Sequence, residues 1–417
     1  MKFPRFDFAD RIDTWECGMS AALGALVELP PDVFVVIHSD RGCVPPVRYR
    51  PRPGPPVYTS DLGDFDIVAG GREALFRAVE EMLASEGRPA AVVLLGTCLS
   101  EMTGEDLPTY ARELERVHRL PFIAIPTTGL DPNLGRTGAA KQVHDSFAAR
   151  FLGGSGSRRT SEVGLAGFPD DLGRTFHGEF AATLRAAGVR PGGCWPWGGV
   201  AALRRLRRGA VVFVSERIVL ASFARRLEDA CGVEVVEHPA PFSLAGIRSF
   251  FGEVGAIAGH DLLVSAALEP AIADATEALE RFRASHAGRR VAVSCGGNRK
   301  SARLQSAIHL GIGFVPFLVE AGLDVALVVT APETTEVRLG MEALARELGT
   351  AGRVRFHARS EEVTDVLRAD RVDAVVADEC QRGRCEEAGV PWLDWETFVP
   401  GLCGLRRALR RLDGVMR

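Results

Sequence analysis

The sequence predicts an α/β protein made of three Rossmann-like units with parallel sheets covered by helices, and three observations carry that prediction. Short runs of Val, Ile, Leu and Ala alternate with helix-period runs along most of the chain, as strands buried on both faces alternate with covering helices. Hydrophobic residues make up 46% of the 417 and charged residues 25%, enough material for two or three separate cores. No self-similar period of the kind that marks a solenoid replaces the alternation.

In chain order, the first group has strands at Val33 to His38, Ala90 to Leu95 and Pro121 to Ile125, with helices near Arg72 to Ser85 and Asp106 to His118. The small polar stretch Gly153 to Arg159 marks a boundary, and a helical connector from about Pro169 to Ala187 follows it. A second group begins with the strand Ala210 to Val214, continues through the helix Arg217 to Ala230 and the strand Val233 to Val236, and closes on a strand near Leu262 to Ser265. A third follows a helix ending near Ser285, with strands at Arg290 to Ser294, Asp324 to Val329 and Val372 to Ala377 and a helix from Glu336 to Glu347. The expected domains are therefore 1–155, 156–287 and 288–417, the second opening with the connector and the third ending in a C-terminal helix.

A net charge of -4 and a pI of about 6.2 give no electrostatic reason to expect nucleic acid or an anionic membrane as partner. The Arg runs at Arg204 to Arg208 and Arg406 to Arg411 read as solvated helix faces. The N-terminus lacks an apolar export core, and no stretch of about twenty residues is free of charge, so a cytoplasmic protein is expected. In a long chain of a reducing compartment, nine cysteines form no disulfide framework, which turns attention to metal binding in special loops.

Ligands of parallel α/β sheets sit at the carboxyl ends of the strands. Two cysteines fall there: Cys43 in Ser39-Asp-Arg-Gly-Cys43, after the first strand, and Cys98 in Gly96-Thr-Cys98, after the second. Cys17 precedes the small-residue run Ser20 to Leu26, which suits a tightly packed helix. Thiolates are the natural ligands of iron-sulfur clusters, and Gly18, Gly42 and Gly96 beside the three would let backbone approach a bulky group. Each alone reads equally as a small buried hydrophobe.

Context adds to the spacing. Gly96-Thr-Cys-Leu-Ser-Glu-Met-Thr-Gly-Glu-Asp106 resembles a T-C-x-x-E-x-x-G-D-D segment, and His38-Ser-Asp-Arg-Gly-Cys43 resembles H-G-x-x-G-C. Asp66-Ile-Val-Ala-Gly-Gly71 is similar to D-I-V-F-G-G, and Cys17-Gly-Met19 matches a first cysteine near the N-terminus. These ordered segments are those of the nitrogenase component 1 family, which includes nitrogenase subunits, dark protochlorophyllide and chlorophyllide reductases and methylthio-alkane reductase. Weaker likeness in Pro239 to Phe251 and Gly389 to Asp394 extends the resemblance over nearly the whole chain.

The resemblance implies a β-like subunit whose Cys17, Cys43 and Cys98 bind a P-cluster-like or [4Fe-4S] cluster at the interface with a homologous sister subunit, in a heterotetramer. Electrons would come from a homodimeric, ATP-hydrolysing iron protein. No GxxxxGKS/T motif is present, and Gly296-Gly-Asn-Arg-Lys-Ser301 lacks its frame, so nucleotide hydrolysis belongs to a partner. In nitrogenase α subunits a cysteine and a histidine hold a larger iron-sulfur cofactor. Here Val214-Ser-Glu-Arg217 offers no cysteine and Trp392-Leu-Asp-Trp-Glu396 no histidine, so any such cofactor is expected in the sister subunit.

Glu216 and Glu396 could ligate iron, but read first as helix caps or surface charges. Cys295 and His238 are read as a buried filler and a satisfied polar residue. Cys380 and Cys385 lack the second pair a zinc site needs, and Cys194, Cys231 and Cys403 are taken as structural. The expected function is electron-relaying subunit of an ATP-dependent reductase acting on a small molecule, with a methylthio-alkane as first-choice substrate. Tetrapyrrole reduction and a non-catalytic scaffold for iron-sulfur cofactor assembly are the alternatives.

Overall fold

The computed structural model describes residues 18–43, 54–127, 136–153, 161–171, 173–215, 217–266, 268–295, 313–330, 335–350, 353–357, 362–377 and 381–417. The first group runs α1 (Gly18–Leu26), β1 (Val33–Ile37), β2 (Val57–Thr59), α2 (Asp64–Ala69), α3 (Arg72–Glu86), β3 (Ala91–Leu95), α4 (Cys98–Met102), α5 (Leu107–His118), β4 (Phe122–Ile125) and α6 (Arg136–Phe151). Its sheet has the order β2-β1-β3-β4 with every pair parallel, and Ile37 stands opposite Leu95. Successive side chains of β1 and β3 alternate between two cores. Val33, Val35, Ile37, Ala91, Val93 and Leu95 pack towards α1 and α6, while Phe34, Val36, Val92 and Leu94 pack towards α3 and α5. This two-sided burial explains why both strands read as unbroken apolar runs.

The second group comprises β5 (Glu162–Ala166), α7 (Thr175–Ala186), β6 (Arg190–Trp195), α8 (Gly199–Leu206), β7 (Val211–Val214), α9 (Arg217–Cys231) and β8 (Glu234–Glu237), its sheet ordered β6-β5-β7-β8. The third comprises α10 (Leu244–Ala258), α11 (Glu269–His286), β9 (Arg290–Cys295), α12 (Val315–Glu320), β10 (Asp324–Thr330), α13 (Thr335–Glu347), β11 (Val354–His357), α14 (Val363–Asp370), β12 (Ala374–Ala377), α15 (Arg382–Ala388), β13 (Trp392–Asp394) and α16 (Gly401–Met416). Its parallel sheet is ordered β11-β10-β9-β12-β13. Three parallel-sheet units with covering helices are thus present, as the alternation predicted.

The units group differently from the expected three domains. The described residues up to Gly167 form one compact unit with Gly192–Glu237, so the first two sheets share it; Phe168–Pro191 and His238–Arg417 form the other. Most of the Gly153 to Arg159 stretch lies outside the described residues. Among the described residues no helix is long and apolar enough to cross a membrane.

Three differences from the sequence reading have local causes. The expected strand at Leu262 to Ser265 is a turn, because Asp261 Oδ1 accepts the Leu263 N–H at 3.1 Å and Ser265 donates its hydroxyl to Leu262 O at 2.6 Å. Local side-chain bonds of this kind compete with sheet pairing. The connector helix starts at Thr175 and not near Pro169, since Asp171 accepts the Thr175 N–H and Asp170 those of Phe176 and His177, fixing the first turn. Strand β6 has no apolar run to announce it: Pro191, Gly192 and Gly193 occupy it, and a Cβ on Gly193 would lie 2.3 Å from Ala202 O of α8.

Between the first two sheets, His144 of α6 accepts the Trp195 indole N–H on Nδ1 at 2.9 Å. Both side chains are buried, with Phe147 and Phe223 against the indole. Burial pulls the His144 pKa down to about 4. The folded value lies below the unfolded one, about 6.5, so the unfolded chain binds the extra proton between them. Stability from this group is complete above pH ~6.5 and falls as pH drops towards 4, by at most about 1.4 kcal/mol per pH unit. His144→Gln keeps an acceptor for Trp195 and removes the titration. Urea denaturation should show the variant losing about 1 kcal/mol less than wild type between pH 6 and 5. Equal losses would mean that folding does not lower the His144 pKa.

Candidate functional site

The first sheet has the strand order 2-1-3-4, so the chain reverses its direction of travel across the sheet between β1 and β3. At such a switch point the two following loops diverge and leave a crevice beyond the strand ends. Those loops carry Cys43 and Cys98. Cys43 ends a 3-10 turn, Arg41–Cys43, and Cys98 is the first residue of α4; both thiols are partly exposed. Cys17 lies outside the described residues, one position before α1, and α1 packs in the same core as β1, β3 and the side of Cys43.

The strand-end backbone is held by short side chains. Thr97 caps α4, accepting the Ser100 N–H at 3.4 Å while Ser100 Oγ accepts the Thr97 N–H at 2.8 Å. Thr97 also donates its hydroxyl to His38 O at 3.1 Å, joining the β3 loop to the β1 loop. In the β1 loop Asp40 accepts the Gly42 N–H at 2.5 Å, and the Cys43 N–H reaches Asp40 O at 3.4 Å. Arg41 pairs with Asp61 at 2.6 Å. Two of the flanking glycines are required by the fold itself. A Cβ on Gly96 would meet Leu107 and the Pro126 backbone, and one on Gly42 would meet Asp40, so both relieve contacts within the protein.

Sequence reasoning passed over the polar cluster beneath these loops. His38, Ser39 and Ser60 are buried, and the Glu105 side chain is only 2% exposed. Glu105 accepts the Gly71 N–H at 2.5 Å and the Tyr110 hydroxyl at 2.8 Å, and its Oε2 lies 3.7 Å from His38 Nε2. The other imidazole nitrogen, Nδ1, meets Ser60 Oγ at 3.0 Å. Burial lowers the His38 pKa against the opposing pull of Glu105, which keeps the ring neutral at pH 7. Burial, reinforced by the Glu105 carboxylate, pushes Tyr110 up to about 12. The available signal was Glu105 itself, the first acid of the Gly-Glu-Asp106 segment.

The remaining candidates divide plainly. The Cys295 thiol is buried, points at Val293 O and is pushed up to about 12 by burial, and Cys385 is likewise buried and pushed up to about 12. Neither is a ready thiolate. His238 is a satisfied polar residue, donating from Nδ1 to Pro239 O at 2.7 Å, lying 3.3 Å from Ser249 Oγ and standing edge-on to Phe250. Cys231 donates to Leu152 O at 3.1 Å, Cys194 is partly exposed, and Cys403 is exposed on α16. Cys380, Glu216, the Glu396 side chain and Gly296 to Ser301 lie outside the described residues.

Among the described residues no three His, Cys, Asp or Glu side chains converge as a metal site. The donor set at the strand ends still suits an iron-sulfur cluster. Two part-exposed thiols end neighbouring parallel strands, the backbone around them is pinned by side-chain hydrogen bonds, and a third cysteine immediately precedes a helix of the same core. The same edge carries exposed apolar side chains on the two short helices, Phe65 and Val68 on α2 and Met102 on α4.

The family model described as nitrogenase component 1 type oxidoreductase matches residues 17–399. Relatives include the nitrogenase iron-molybdenum cofactor biosynthesis protein NifE of Mesorhizobium japonicum, 26% identical over 94% of this chain and 79% of that one. NifE of Klebsiella pneumoniae is 25% identical over 89% of this chain and 82% of its own length, and NifE of Rhizobium meliloti 24% over 81% and 69%. A solved structure described as "Nitrogenase Cp1 at pH 6.5" superposes with a TM-score of 0.74 at 17% identity, covering 96% of this chain and 92% of that one.

Proposed function

Because the chain belongs to the nitrogenase component 1 type oxidoreductase family, we propose that it is one subunit of a nitrogenase-like complex, binds an iron-sulfur cluster through Cys17, Cys43 and Cys98, and acts as a scaffold for iron-sulfur cofactor assembly. The observation that carries the cluster is the placement of Cys43 and Cys98 on the two loops that diverge at the switch point of the first sheet. The bound cluster supplies one-electron transfer. The chain's own residues hold it by thiolate, fix the strand ends through Thr97, Asp40 and Ser60, and present an edge for a sister subunit to cover. Phe65, Val68 and Met102, each more than 70% exposed, support burial of that edge in a heterotetramer.

Two considerations favour a scaffold over the methylthio-alkane reductase that stood first in the sequence reading. The relatives that align along most of the chain are named as cofactor biosynthesis proteins. The stretches Val214 to Arg217 and Trp392 to Glu396 lack the cysteine and histidine that would retain a large cofactor permanently, and a scaffold has to release its cargo. The family's description as an oxidoreductase supports a second reading, electron relay from an ATP-hydrolysing iron protein to a small substrate.

The two readings separate in one experiment on the anaerobically purified complex with its sister subunit. Iron bound beyond the three-cysteine cluster should move to a cofactor-deficient nitrogenase component 1 on mixing, with no methylthio-alkane consumed when an iron protein and ATP are added. Iron that stays in place while substrate is steadily reduced would sink the scaffold and establish the reductase.

A further inference from the structure

We infer that Glu105 is a positioning residue for the two cysteine-bearing loops, a buried carboxylate that clamps the ends of β1 and β3 to the turn that starts α3. The inference deepens the proposed cluster site and rests on that reading for its purpose, though not for its geometry. Three hydrogen bonds meet at this residue. Its carboxylate accepts from the Gly71 backbone and from the Tyr110 hydroxyl, and its own N–H donates to Ser100 O of α4 at 2.9 Å, while Oε2 packs 3.7 Å from His38 Nε2 without a hydrogen bond. A carboxylate is costly to bury, and is tolerated where strong donors replace its water.

From Glu105 the contacts lead through the packed His38 ring towards both cysteine loops. His38 is locked on its far side by Ser60, whose hydroxyl also accepts the Ser39 N–H at 3.1 Å, and Cys43 follows at the end of the same loop. The His38 carbonyl accepts from Thr97, the residue that caps α4 immediately before Cys98. Space around the imidazole is tight, since a Cβ on Gly71 would lie 2.8 Å from His38 Cε1. The ring therefore has little room to turn away from the carboxylate. Elsewhere in these loops Arg41 pairs with Asp61, Asp40 accepts the Gly42 N–H and Asp106 caps α5 through Thr109, and none of these bonds joins the β1 loop to the β3 loop.

The test reads loop geometry without a cluster. The full chain, stripped of iron by a chelator under reducing anaerobic conditions, is pulsed with iodoacetamide, and the rate at each cysteine is read by mass spectrometry. Glu105→Ala should speed alkylation of Cys43 and Cys98 about tenfold, as loss of a charge-assisted hydrogen bond implies. The rate at Cys231, a half-buried thiol of the same compact unit, should not change. Glu105→Gln, which keeps an oxygen for the Gly71 N–H, should restore wild-type rates. A rate at either Cys43 or Cys98 that fails to rise, a parallel rise at Cys231, or a Gln variant that behaves like Ala would overturn the clamp. If the clamp responds as expected while cysteine variants retain their iron, the cluster assignment fails and the loop organiser stands.

Discussion

Replacing Cys43 or Cys98 by alanine is expected to strip the cluster from the co-purified complex, with the iron and acid-labile sulfide of that cluster lost and the associated EPR signal abolished. Cys17→Ala should abolish the same signal, which is what ties three sequence-distant residues to one group. The expected loss is complete because a methyl group offers iron nothing, and no neighbouring trio of His, Cys, Asp or Glu among the described residues stands ready to substitute. The fold itself should lose little. Both thiols are partly exposed, so trimming them removes about 1 kcal/mol or less of packing. Cys295→Ala is the matched control, a core thiol whose removal should lower the melting temperature and leave the iron in place. Unchanged iron in all three ligand variants would leave a family member with a metal-independent role.

Much of this site was legible because its signal is local. Val33 to Ile37 and Ala91 to Leu95 are unbroken aliphatic runs because two cores cover them, and the cysteine loops follow within six residues of each strand end, inside motifs that resemble those of a known family. The switch point was not legible, since strand order depends on pairings such as Ile37 with Leu95 that no local pattern encodes. For the same reason the His38–Glu105 contact stayed hidden although both residues stood inside quoted motifs. Strand β6 was missed because its glycines admit neighbouring backbone, Gly192 that of β5 and Gly193 that of α8, an interaction set by tertiary approach and opposed by strand propensity. The grouping of the first two sheets into one compact unit follows from α1, α6 and α9 sharing a core, whereas the glycine-rich stretch at Gly153 to Arg159 is a compositional signal for a boundary.

The C-terminal helix gives the sharpest expected effect on stability. Gly404 sits in the first turns of α16, and a Cβ there would lie 1.9 Å from Val399 O and 2.7 Å from Val399 C. Backbone atoms cannot swing aside as a side-chain terminus can, and the helix is fixed on both sides of the clash. Glu179 accepts the Leu402 and Cys403 N–H groups at 2.9 and 3.0 Å, while Leu405, Leu409, Leu412 and Met416 are buried along its length. Gly404→Ala should therefore cost about 3 kcal/mol or more, because the helix must lift off its neighbours to accept one methyl group. Gly414→Ala in the same helix meets nothing within 4 Å and should be neutral or stabilising by about 0.5–1 kcal/mol, through helix propensity alone. Denaturant midpoints of the two variants should move in opposite directions from wild type. If both substitutions were neutral, the seating of α16 against Val399 would be wrong, and with it the anchoring of that helix by Glu179.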